Sequence, residues 1–159
     1  MQSHKVGSLA LLAALITGCQ PADENTSFWQ VETLVAGSTL HSPNGITFGP
    51  DNKLYAGSVG AQTIYRIDVS SGEVEVVVAA PAGEADDVAF APDGTLVWTA
   101  LIAGEIRALR KNGTIDAIVT DVPLINPLHF TTDGRLFAAQ IGFDRLYEFP
   151  VDTTLTSTG

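Results

Sequence analysis

Asn44, Asp86 and Asn126 are the residues of this chain whose types and spacing could do chemistry together. They lie 42 and 40 residues apart, and each stands four residues upstream of a phenylalanine: Phe48, Phe90 and Phe130. Amide oxygens and a carboxylate are hard donors, suited to Ca²⁺ or another oxygen-loving divalent ion. One carboxylate with two neutral amides supplies little charge, so these three alone predict modest affinity. Turn chemistry competes with this reading, because Asn, Asp and Pro ahead of a strand commonly make turns and Asn44-Gly45 is an ordinary turn pair. Asp87 is the reserve ligand, expected to face the other way along a strand. His129, beside Phe130, could act as a general base near neutral pH, although a lone histidine is more often a wall residue. His41, in the loop before Pro43, lies on the approach to the same mouth. The sequence contains no Ser-His-Asp order, nucleophile elbow or HExxH, and neither GxGxxG nor GxxxxGK[ST].

The elements that must position these residues follow from a repeat. SPNGITFGPDNKLYAGS, EADDVAFAPDGTLVWTA and LINPLHFTTDGRLFAAQ are three versions of one pattern. The phenylalanines form one column, Leu54, Leu96 and Leu136 a second, and Ile64, Ile106 and Leu146 a third, all at the same two spacings. A period near 40 with strand-like content in each unit predicts an all-β fold of β-propeller blades, each of four antiparallel strands. The blades run over about residues 42–80, 84–122 and 124–159. In the first, residues 45–48, 54–58, 63–69 and 74–79 read as successive strands from the axis outward. The acids in Asp51-Asn52, Asp93-Gly94 and Asp133-Gly134 read as turn formers. Tyr55, Trp98 and Phe137 read as packing between blades. Inner strands line a propeller's axis, so Asn44, Asp86 and Asn126 are expected to converge at one mouth of the channel.

The two ends of the repeat are irregular. Residues 30–36 (QVETLVA) look like an outer strand with no inner strands before it, and residues 155–159 stand where the third outer strand should lie. Three blades cannot close a ring that needs roughly four to eight. An open array leaves an apolar face and strand edges to water, which invites self-association. The chain is therefore a truncated copy of a longer protein, one of a pair that completes six blades, or an open piece. Truncation is favoured, because no cap is visible on the terminal repeats.

Composition bounds the partners. With 18 acidic and 8 basic residues, the formal charge is −10. Such a surface repels nucleic acid and anionic headgroups. Cys19 is the one cysteine, so an internal disulfide cannot form. Residues 1–18 have the anatomy of a signal peptide, and Ile16-Thr17-Gly18-Cys19 resembles the lipobox of bacterial lipoproteins. That resemblance implies lipidation of Cys19, a polar tether over residues 19–29, and attachment to the cell envelope, with the outer membrane favoured by Gln20.

Over residues 30–150 the chain resembles the SMP-30/gluconolactonase/LRE-like family of six-bladed propellers, on the strength of PNGITFGPDNKLYAGS, DDVAFAPDGTLVWTA and NPLHFTTDGRLFAA. The resemblance implies a metal on the axis, with Asn44 and Asn126 as amide ligands and Asp86 as carboxylate ligand and general base. It implies hydrolysis of a lactone or related ester through a polarised carbonyl. The family's glutamate ligand has no counterpart in these three units, so the activity is expected to be incomplete in this chain. The alternative is a non-catalytic envelope propeller that binds a ligand or protein at its channel mouth.

Overall fold

The structure is a computed structural model that describes residues 30–37 and 39–156. The segments read as signal peptide and as most of the tether lie outside the described residues. Every strand belongs to the second of the chain's two units, Thr33–Gly159.

Short β-rich runs separated by turn residues fold here into eleven strands and no helix among the described residues. Blade 1 is an antiparallel sheet of β1 (Ile46–Phe48), β2 (Leu54–Ser58), β3 (Thr63–Ile67) and β4 (Val74–Val78), paired in that order. Blade 2 repeats it with β5 (Ala85–Phe90), β6 (Leu96–Ala100), β7 (Glu105–Leu109) and β8 (Ile115–Val119). Blade 3 has three strands, β9 (Ile125–Phe130), β10 (Leu136–Gln140) and β11 (Arg145–Phe149). The expected all-β propeller architecture is thus what the chain forms.

The turn acids behave as their types predict. Asp93 Oδ1 accepts the Thr95 amide at 2.9 Å, and Asp51 Oδ1 accepts the Lys53 amide at 3.2 Å. Gly94 and Gly134 adopt φ of +83° and +90°, which a side chain would resist.

Two apolar layers hold the blades together. Tyr55 and Ile64 of blade 1 pack with Val88, Phe90 and Trp98 of blade 2, and Tyr55 meets Phe90 edge to face with centroids 4.9 Å apart. Val97 and Ile106 of blade 2 pack with Leu128, Phe130 and Leu136 of blade 3. The inner strands β1, β5 and β9 lie beside one another in that order.

Both ends differ from the sequence expectation. Residues 30–36 form no strand; a strand exists only where a neighbour completes its ladder, and β4 and β8 already occupy the outer places of their blades. At the other end, residues 151–156 form a docked turn and no strand. Asp152 Oδ1 accepts the amides of Thr154 and Thr156 at 2.8 and 3.0 Å, closing a turn. Arg110 of blade 2 donates to the Thr154 carbonyl at 2.6 Å, and Leu155 is buried in the layer between blades 2 and 3.

Candidate metal site at the inner-strand bulges

The candidate residues sit at one recurring irregularity of the blades. In blade 2, Ala85 pairs with Ala100 and Val88 with Trp98, so Asp86 and Asp87 together face Thr99. In blade 3, Ile125 pairs with Gln140 and Leu128 with Ala138, so Asn126 and Pro127 together face Ala139. In blade 1 the Asn44 amide donates to the Gly57 carbonyl and the Gly57 amide to the Gly45 carbonyl, just before the Ile46–Ala56 pair. Each inner strand therefore carries a β-bulge at the same repeat position, a device that re-aims side chains and often borders active sites.

The bulge explains the local sequence. It leaves a backbone donor unpaired, and in blade 2 the Thr99 hydroxyl accepts the Asp87 amide at 3.0 Å. Pro127 has no amide to leave unpaired, which suits it to the same place in blade 3. Gly45 is required by proximity: its amide donates to the Asp86 carbonyl at 2.7 Å, and a Cβ there would stand 2.4 Å from Asp87 Cα. Asn44-Gly45 is accordingly a contact between blades, and neither residue has positive φ. The turn reading of this pair does not hold.

The structure brings Asn44 and Asp86 together, with Asn44 Nδ2 donating to Asp86 Oδ1 at 2.5 Å. Asp86 is 5% exposed. Asp87 does not simply face away, because the bulge suspends strand alternation. Its Oδ2 accepts the Leu128 amide of blade 3 at 2.9 Å, while its Oδ1 lies against Gly45 of blade 1. Burial pushes the Asp87 carboxyl above its usual range; the Leu128 and Val88 amides oppose this, Asp86 adds to it, and His129 draws it back. Asn126 is on the equivalent bulge of β9, and its Oδ1 is buried with no hydrogen-bond partner. His129 is exposed on β9, and His41 is exposed in a loop where its carbonyl accepts the Ser58 hydroxyl at 2.5 Å.

These groups fit a cation in two respects. No cationic side chain among the described residues forms a salt bridge with Asp86 or Asp87. A buried carboxylate without a counter-charge and a buried amide oxygen without a donor are both costly, and a divalent ion is a partner that suits either. The donor set is lean, however: no group of three His, Cys, Asp or Glu among the described residues could hold a metal. A cleft of about 580 Å³ lined by Asp93, Asp133, Asp152 and Leu155 lies at the opposite end of the inner strands, away from the bulges.

Glu84 is a functional-type residue that the sequence did not flag. It is buried, and its Oε1 accepts the amides of Ile102 and Ala103 at 2.8 and 3.3 Å, fastening the β6–β7 loop. Ser42 and Leu124 hold its place in the other units, so no column marked it.

No protein-family model matches the sequence, and no curated protein matches it. Solved structures do resemble it. A gluconolactonase from Xanthomonas campestris superposes with a TM-score of 0.63 at 22% identity, covering 74% of this chain and 46% of that one. Virginiamycin B lyase from Staphylococcus aureus gives 0.57 at 19% identity, with 70% and 38% covered. A nidogen/laminin complex gives 0.61 at 17% identity, with 72% and 46% covered. The fold is that of a gluconolactonase-like propeller, and the chain spans less than half the length of these three structures.

Proposed function

We propose that the chain is part of a metal-binding propeller of the SMP-30/gluconolactonase type that hydrolyses lactones or related esters. The observation that carries this reading is the buried Asp86 carboxylate without a cationic partner, at the same bulge position as the unpaired Asn126 Oδ1. Asp86, Asn44 and Asn126 would hold a divalent ion, calcium by the hardness of their oxygens. Such an ion supplies polarisation of the substrate carbonyl. Asp86 contributes the charge that retains it. Asp87, whose proton affinity burial raises, would take the proton of the attacking water. Opening of a lactone releases acid, so a pH-stat assay with calcium, and then with a chelator in excess, tests the reading. Calcium-dependent acid release supports it; hydrolysis indifferent to the chelator removes the metal from the mechanism, and none with any lactone removes catalysis from this segment.

A second reading has its own support. A structure of a nidogen/laminin complex shares this fold, and the same mouth could bind a ligand or protein without catalysis. Calcium binding without lactone turnover favours it. In either case Cys19 is the proposed lipid anchor to the bacterial envelope, on the sequence of residues 16–19. Labelling with a radioactive fatty acid that Cys19→Ala abolishes is the expected result.

A further inference from the structure

Each blade ties the loop before its inner strand to the end of its second strand, or to the turn that follows, through one buried side chain. In blade 1 the Ser58 hydroxyl donates to the His41 carbonyl at 2.5 Å and accepts the Ala61 amide at 3.0 Å. In blade 3 Gln140 Nε2 donates to the Pro123 carbonyl at 2.7 Å, while its Oε1 accepts the Tyr147 hydroxyl at 3.0 Å. Ser58 and Gln140 share one column of the repeat. His41 and Pro123 share another, three residues ahead of Asn44 and Asn126. The residue after each held carbonyl is left-handed: Ser42 has φ of +61° and Leu124 of +59°. A residue with a side chain keeps that conformation only where its surroundings impose it.

Blade 2 departs from this pattern and reaches the same end. Its columns hold Ala100, which has no side-chain donor, and Gly83. Glu84, in the column of Ser42 and Leu124, has no positive φ. Its own carboxylate instead crosses to the turn, accepting the Ile102 and Ala103 amides. Ser58, Glu84 and Gln140 are all buried. Every one of these bonds lies within a single blade, so none depends on what stands at either end of the row.

We propose that Ser58, Glu84 and Gln140 are positioning residues, each fixing the loop that delivers one candidate ligand: Asn44, Asp86 and Asn126 in turn. This rests on the cation reading above. The three act through the backbone and are not ligands. They hold the loops in place before an ion arrives, so binding need not order them. Asn126 shows the need for such a hold. A loop free to shift would let its Oδ1 meet a donor, yet that atom stays buried without a hydrogen-bond partner.

Calcium titration calorimetry of the full chain tests the proposal, with the luminescence lifetime of bound terbium as a second readout. Gln140→Met keeps the side chain's length and removes both of its hydrogen bonds. Its calcium affinity is expected to fall about tenfold or more, the usual effect of losing a group that orients a metal ligand. Terbium is expected to show a shorter lifetime, because water takes the place of Asn126 Oδ1. Glu84→Met is expected to weaken calcium likewise. Glu84→Gln still accepts the two amides and is expected to bind as the native chain does. Leu155→Ala, at the opposite end of the inner strands, is expected to leave affinity unchanged, which separates positioning from stability alone. Should Gln140→Met not fold, Tyr147→Phe decides the point, because it keeps the ring and removes only the donor that orients Gln140. Weaker binding in it supports the proposal, and native affinity overturns it. Native affinity in folded Gln140→Met or Glu84→Met also overturns the proposal. So does a Glu84→Gln variant as weak as Glu84→Met, which would make Glu84 a source of charge. A native chain that binds no calcium overturns the cation reading, and the positioning roles with it.

Discussion

Gly45 and Asp87 come so close that a Cβ on Gly45 would stand 2.4 Å from Asp87 Cα and 2.7 Å from the Asp86 carbonyl oxygen. The obstacles are backbone atoms, which cannot rotate away. Blade 1 therefore meets blade 2 main chain to main chain, at the bulges that carry the candidate ligands.

Gly45→Ala is expected to force the two inner strands apart. Overpacking of this kind costs about 2–3 kcal/mol, which urea denaturation would read directly. An unchanged midpoint would mean that the blades are joined less tightly than the structure shows.

Asp87 gives a prediction with a defined sign in pH. Burial raises its carboxyl above the ordinary 3.8, so the folded chain holds that proton more tightly than the unfolded chain. Its contribution to stability is complete below the unfolded value and is lost as pH rises through the raised folded value. Asp87→Asn removes this loss and keeps an oxygen for the Leu128 amide. Relative to the native chain, the variant is expected to gain stability between pH 3.5 and pH 7 in chelator. Equal gains at both pH values would contradict the assignment.

Leu155 tests the docking of residues 151–156. It is 4% exposed, packed with residues of blades 2 and 3, while Arg110 holds the carbonyl beside it. Leu155→Ala is expected to cost about 2–4 kcal/mol, in the usual range for a buried leucine. A loss below about 0.5 kcal/mol, the scale of surface changes, would show that the turn of residues 151–156 is not docked.

The fold was legible because the repeat writes its columns three times. Phe48, Phe90 and Phe130 stay in phase, and each marks the end of an inner strand. Their burial was not legible, since it depends on which blade stands on either side, and the repeat is the same on all three. The bulge was also hidden. Asn44-Gly45, Asp86-Asp87 and Asn126-Pro127 can be located by spacing, but that two residues oppose one appears only when the partner strand is counted. For that reason the sequence placed Asp87 on the far face. Residues 30–36 misled because alternation marks the capacity for a strand, and pairing decides whether one forms. Leu155 escaped notice because a single leucine in a polar tail has no period to reveal it.

A calorimetric calcium titration of the full chain, beside Asp86→Ala, tests whether the bulges hold a cation. Saturable binding is expected in the native chain, lost at least tenfold in Asp86→Ala, with the β-sheet circular dichroism of the two unchanged. Binding that survives the loss of Asp86, or none in a folded native chain, would contradict the cation reading and leave the bulges as joints between blades.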